Sequence, residues 1–108
     1  MKRILMLDKC PEFHLEIRSC LKDHTVIGVA GVPSKDNDIS PDIIIFDPSR
    51  YMISEGLLEF LTSMKSKNPL IKIIALCSWD ISPELVTISD FIFEKSSLKI
   101  TDLFDVCR

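Results

Sequence analysis

Four apolar runs in the sequence, of the kind that forms buried strands, each end at a polar residue. In chain order these polar residues are Asp8, Asp47, Cys77 and Lys95. The clearest run precedes Asp47, where four large apolar residues at 43–46 stop abruptly at a carboxylate. A carboxylate can act as a covalent nucleophile, and a lysine carries a positive charge that can stabilise negative charge beside it. These residue types therefore predict a reactive or ion-binding pocket, provided that the fold brings them together.

The elements that would position these side chains alternate between strands and helices. Apolar, β-rich runs predict five strands, at 3–7, 25–32, 42–46, 71–76 and 90–94. Apolar residues at helical spacing predict a first helix beginning near Pro11, a helix at 56–67, a short helix from Pro83 and a last helix with its apolar face at 100–107. The polar stretch 33–40 has few residues that could pack, so we expect the second helix to be reduced or missing.

This alternation predicts an α/β fold with a doubly wound, five-stranded parallel sheet. In the flavodoxin-like strand order 2-1-3-4-5, strands one and three are neighbours at the switch point, where such sheets bind their ligands. Asp8 and Asp47 would then lie side by side, flanked by Cys77 and Lys95. We expect residues 1–108 to form a single domain, since this length is typical of one.

Composition narrows the classes of function. The net charge is −3 and no Lys/Arg cluster is present, which argues against nucleic-acid binding. The apolar run at 4–7 is too short for a signal peptide or a membrane span, so a cytoplasmic location is expected. The four cysteines are far apart and lack the spacing of a metal site.

Taken in order, these segments resemble the receiver domain of bacterial two-component response regulators, over nearly the whole chain. The segments that carry the resemblance are Ile4-Leu5-Met6-Leu7-Asp8 with Pro11, Pro41-Asp42-Ile43-Ile44-Ile45-Phe46-Asp47, Gly56-Leu57-Leu58-Glu59-Phe60-Leu61, Ile73-Ile74-Ala75-Leu76-Cys77-Ser78 and Phe91-Ile92-Phe93-Glu94-Lys95. The resemblance implies a CheY-like fold and a role in phosphorelay signal transduction.

The resemblance also implies a role for each candidate residue. Asp47 takes the position of the aspartate that accepts a phosphoryl group from a phosphohistidine, and Asp8 takes that of the first of two acids that hold Mg²⁺. Cys77 stands where the family has a Thr or Ser that binds a phosphoryl oxygen. Lys95 matches the lysine that neutralises charge. On this basis we expect the chain not to be an enzyme, beyond accepting a phosphoryl group at Asp47.

The sequence departs from the family pattern inside this pocket. Lys9 stands where the second acid should be, so Asp8, Asp47, Lys9 and Lys95 sum to zero formal charge. The exchange removes an oxygen ligand and adds repulsion, which disfavours Mg²⁺. Cys77 offers only a weak S–H donor in place of a hydroxyl. The sequence thus predicts a degenerate receiver whose Mg²⁺ site is weakened.

We therefore expect a stand-alone receiver-like domain that acts by binding another protein, such as a histidine kinase or an output protein, with a homodimer as a further possibility. The expected partner surface comprises Trp79, Ile81, Phe91 and Phe93. The first alternative is a conventional phosphoacceptor at Asp47 that obtains Mg²⁺ through Asp8 and Asp47. The second is a flavodoxin-like binder of a small ligand, although no strand is followed by a Gly-rich phosphate loop.

Overall fold

The polypeptide builds one parallel sheet with helices on both faces. In the computed structural model, the residues described are 2–7, 11–29, 31–33, 39–47, 56–77, 82–94 and 96–107. The strands are β1 (Arg3–Leu7), β2 (Thr25–Val29), β3 (Ile43–Phe46), β4 (Lys72–Cys77) and β5 (Phe91–Glu94). The helices within these ranges are α1 (Pro11–Cys20), α2 (Leu57–Lys67), α3 (Pro83–Ile88) and α4 (Ile100–Val106).

The strand order is β2-β1-β3-β4-β5, and every neighbouring pair is parallel. The predicted fold class and strand order are therefore confirmed. In register, Leu7 pairs with both Val29 and Phe46, and Phe46 pairs in turn with Ala75. The carboxyl ends of the three central strands consequently lie together at one edge of the sheet, with β3 between β1 and β4.

Each face of the sheet is covered by its own helices, because successive strand residues point to opposite faces. On one face, α2 contributes four buried side chains, Leu57, Phe60, Leu61 and Met64. On the other face, α1 contributes Ile17 and α4 contributes Leu103, and the residues directly after these helices, Leu21 and Cys107, are buried with them. Burying each large side chain contributes about 1.5–3 kcal/mol. The two clusters thus hold the central strands, and with them the site edge, in a fixed register.

Several predicted boundaries differ from the structure. The second strand ends at Val29 and not at residue 32, because its only neighbour, β1, ends opposite it at Leu7. The fourth strand runs one residue later than predicted, so Cys77 is its last residue. The short helix from Pro83 is confirmed at six residues, with Pro83 in its first turn.

The prediction of a reduced second helix concerns 33–40, and residues 34–38 lie outside the described ranges. Residues 39–40, which are described, are not helical. Within the described part of the chain, no helix has both the length and the apolar character needed to cross a membrane.

Candidate functional site

Asp47 lies at the carboxyl end of β3, at the edge where the central strands end. Its backbone N–H donates a hydrogen bond to the carbonyl oxygen of Leu7 at 3.2 Å, which extends the β1–β3 ladder by one residue. Its side chain is completely buried, and among the described residues it is the only charged side chain that is. A buried carboxylate at the switch point of a doubly wound sheet marks a candidate ligand or reaction site.

Cys77 closes the neighbouring strand β4 and is also buried, with 7% of its surface exposed. Burial raises the pKa of its thiol, and the negative charge of Asp47 raises that pKa further. Because β3 and β4 are neighbours, Cys77 lies close enough to Asp47 for the carboxylate charge to act on its thiol. Because both influences favour the neutral form, Cys77 is a protonated thiol near neutral pH and a weak hydrogen-bond donor. A reactive thiolate would need the opposite surroundings.

The other predicted pocket residues, Asp8, Lys9 and Lys95, lie outside the described ranges, so their roles stay predictions. The strands that precede them end at Leu7 and Glu94, respectively. No group of three or more His, Cys, Asp or Glu side chains suited to a metal ion occurs among the residues described. Asp47 itself offers the hard carboxylate oxygens that Mg²⁺ prefers.

The predicted partner surface is described at β5, whereas Trp79 and Ile81 lie outside the described ranges. The Phe91 and Phe93 rings stack nearly parallel, with an interplanar angle of 4° and centroids 6.4 Å apart. The Lys72 ammonium lies 5.8 Å from the centroid of the Phe91 ring. Phe91 is exposed, while Phe93 is half-buried against the cluster that contains Leu76. Of the two, Phe91 is therefore the better candidate for contact with a partner.

Exposed apolar surface at this edge extends beyond the residues that sequence reasoning selected. Ile92 is 43% exposed and Val86 on α3 is 42% exposed. Ile92 pairs with Ala75 and so lies on the sheet face covered by α2, opposite the face of Phe91. Sequence reasoning missed both residues, although the short helix before β5 was a usable signal, because a short helix covers little of the adjacent strand.

The fold is that of response-regulator receiver domains. A CheY-like receiver domain protein from Methanospirillum hungatei JF-1 superposes with a TM-score of 0.77 at 20% identity, over 99% of this chain and 90% of that one. A response regulator from Thermotoga maritima gives 0.72 at 13% identity, over 99% and 94%. Chemotaxis protein CheY4 from Vibrio cholerae gives 0.72 at 18% identity, over 99% and 96%. No protein-family model and no curated protein sequence matches the chain.

Proposed function

We propose that this chain is a receiver-like signalling domain that acts mainly by binding another protein, and that Mg²⁺-dependent phosphoryl chemistry at Asp47 is weakened. The observation that carries the proposal is the state of β5. Strands of a parallel sheet are normally buried on both faces, yet none of the four residues of β5 is buried. The adjacent helix α3 has no buried residue either.

This edge of the sheet has the character of an association surface. Phe91 and Ile92 present apolar surface on opposite faces of the same strand, and Val86, on the helix that precedes β5, is exposed as well. Exposed apolar surface marks interaction sites, and aromatic residues are enriched in them. The proposed partner is a histidine kinase or an output protein, as the receiver-like fold suggests.

The proposed weakness of the phosphoryl site rests on the chemistry of its residues. In phosphoryl transfer, a carboxylate oxygen of Asp47 would form a bond to phosphorus while the P–N bond of a phosphohistidine breaks and the imidazole nitrogen keeps the electron pair. Bound Mg²⁺ would neutralise charge on the phosphoryl oxygens. Asp47 and Asp8 are the residues that would hold the ion, and Lys9, next to Asp8 in sequence, opposes it. The protonated Cys77 thiol supplies only a weak donor to a phosphoryl oxygen.

The test compares two isoleucines of equal exposure on opposite edge strands. Ile92 on β5 is 43% exposed and Ile27 on β2 is 44% exposed. Each is replaced by Ser in a tagged protein, which is used to capture interacting proteins from the source cell, alongside Asp47→Ala. We expect Ile92→Ser to lose a captured protein that wild type, Ile27→Ser and Asp47→Ala all retain. Loss of capture in Asp47→Ala alone would contradict the proposal.

The second candidate function is a conventional phosphoacceptor, which the complete burial of Asp47 at the switch point favours. Incubation with a small phosphoryl donor and Mg²⁺, followed by intact-protein mass spectrometry, tests it. Rapid addition of one phosphoryl group that is absent in Asp47→Asn would support this second candidate. Slow or absent addition in the wild type is the result that the weakened site predicts.

A further inference from the structure

The outward face of α2 has no role in the proposed function, yet it has an ordered chemical pattern. Leu57, Phe60, Leu61 and Met64 point into the core. The opposite side of the helix forms a shallow depression lined by Leu58, Glu59, Thr62, Ser63, Ser66 and Lys67. Its central residues have short side chains, which allow another backbone to approach closely.

This face has a negative charge near one end of the helix and a positive charge near the other. Glu59 lies in the first turn of α2, and Lys67 lies in the last turn; both are exposed. The two residues are eight positions apart, which corresponds to about 12 Å along the helix axis. Two such helices packed antiparallel would place each glutamate beside the lysine of the other helix. The face is therefore electrostatically complementary to itself.

Exposed leucines lie near both ends of α2. Leu58 in the first turn is 39% exposed, and Leu70, just beyond the helix, is 91% exposed. Leu70 belongs to a turn held by hydrogen bonds, because Leu70 N donates to Asn68 Oδ1 at 3.2 Å and Ile71 N donates to Asn68 O at 3.0 Å. A leucine held almost fully in solvent by an ordered turn favours contact with another molecule.

We propose that the occupant of this face is a second copy of the chain, with the two α2 helices antiparallel about a two-fold axis. Glu59 of each copy pairs with Lys67 of the other, and Leu70 of each copy packs toward Leu58 of the other. Such an isologous contact uses the same patch twice. An 11-residue helix offers much less area than the roughly 1,600 Å² of a standard interface, so the dimer is weak and concentration-dependent.

Charge reversal provides a sharp test by sedimentation equilibrium over a range of concentrations. Glu59→Lys and Lys67→Glu each turn two attractive pairs into repulsive ones, and each should raise the dimer Kd by at least about tenfold. An equimolar mixture of the two variants should associate about as well as wild type, since every cross-pair in the heterodimer is again of opposite charge. Glu16→Lys makes the same charge change on α1, across the sheet, and should leave the Kd unchanged.

The leucine contact is tested by a matched pair. Leu70→Ser should weaken the dimer, whereas Leu15→Ser, at an exposed leucine on α1, should not. A protein that is monomeric at every concentration would overturn the proposal, as would a mixture of the two charge variants that fails to associate. Dimerisation that is lost in Ile92→Ser and unaffected by the α2 variants would overturn it as well. That last result would leave the proposed function of the β5 edge intact.

Discussion

Asp90 provides a quantitative test of how the exposed edge strand is held. Its carboxylate accepts a hydrogen bond from Ile73 N at 2.8 Å, and its own N–H donates to Ile73 O at 2.8 Å. The Lys65 ammonium lies 3.1 Å from the same carboxylate. Since no residue of β5 is buried, these contacts at its start reinforce the β4–β5 ladder that attaches the strand. Their removal should therefore be measurable in the free energy of unfolding.

Asp90→Ala removes the two side-chain interactions, which are the hydrogen bond from Ile73 N and the ion pair with Lys65. The hydrogen bond from Asp90 N to Ile73 O is unaffected. A backbone N–H that loses a charged acceptor costs about 1.5–2 kcal/mol. The ion pair is largely exposed and contributes about 0.5 kcal/mol. We therefore expect Asp90→Ala to lower the free energy of unfolding by about 2 kcal/mol in urea denaturation. Asp90→Asn keeps an acceptor for Ile73 and should cost only about 0.5–1 kcal/mol.

The comparison of the two substitutions is the decisive part. If Asp90→Asn costs as much as Asp90→Ala, the ion pair and not the backbone acceptor holds the strand, and the reasoning is refuted. Asp42 is a matched position, because its carboxylate accepts from Arg3 N at 2.8 Å at the start of β3. Asp42→Ala should accordingly lose about 1–2 kcal/mol, and Asp42→Asn clearly less.

Three further predictions concern the site and the core. The pKa of Cys77 is raised by burial and by Asp47, so alkylation of its thiol, measured by peptide mass spectrometry, should require a pH above the usual range of cysteine. Asp47→Asn should lower that pKa without restoring the usual value, because burial remains. A pH profile of alkylation that is unchanged in Asp47→Asn would mean that the two groups do not interact. Gly56 has a φ of 75° and open space where a Cβ would lie, so Gly56→Ala should cost about 1–2 kcal/mol of stability from backbone strain alone. Leu61→Ala should lower the free energy of unfolding by about 2–5 kcal/mol, since the side chain is fully buried. Denaturant titration measures the loss for Gly56→Ala and for Leu61→Ala. A loss below about 1 kcal/mol for Leu61→Ala would contradict its assignment to the core.

Sequence reasoning located the strands because their apolar runs are sharply bounded. The run before Asp47 and the helical spacing at Leu57, Phe60, Leu61 and Met64 leave few alternatives, and both are confirmed. The end of β2 was not predictable in the same way. Residues 25–32 are β-rich throughout, and the strand ends at Val29 because its neighbour ends there, which is a tertiary effect.

The exposure of β5 was the least predictable feature. A sequence of Phe, Ile and Phe has the same pattern as a fully buried strand, and periodicity alone does not reveal what covers it. In the folded chain, Ile92 is 43% exposed while Phe93 is half-buried. These exposures depend on which helices cover the strand, and the sequence of the strand does not contain that information. The position of Asp47 at the sheet edge, by contrast, followed from strand order alone, because the switch point is a property of topology.

Mg²⁺ titration with and without beryllofluoride, followed by the fluorescence of Trp79, the only tryptophan, tests the weakened site most directly. Wild type should show weak or no saturable response if, as proposed, Lys9 stands in place of a magnesium ligand. Lys9→Asp should gain Mg²⁺ binding, and adding Asp47→Asn to that variant should weaken it again. If wild type and Lys9→Asp bind Mg²⁺ and beryllofluoride equally tightly, the proposal of a weakened site is contradicted and a conventional phosphoacceptor is favoured.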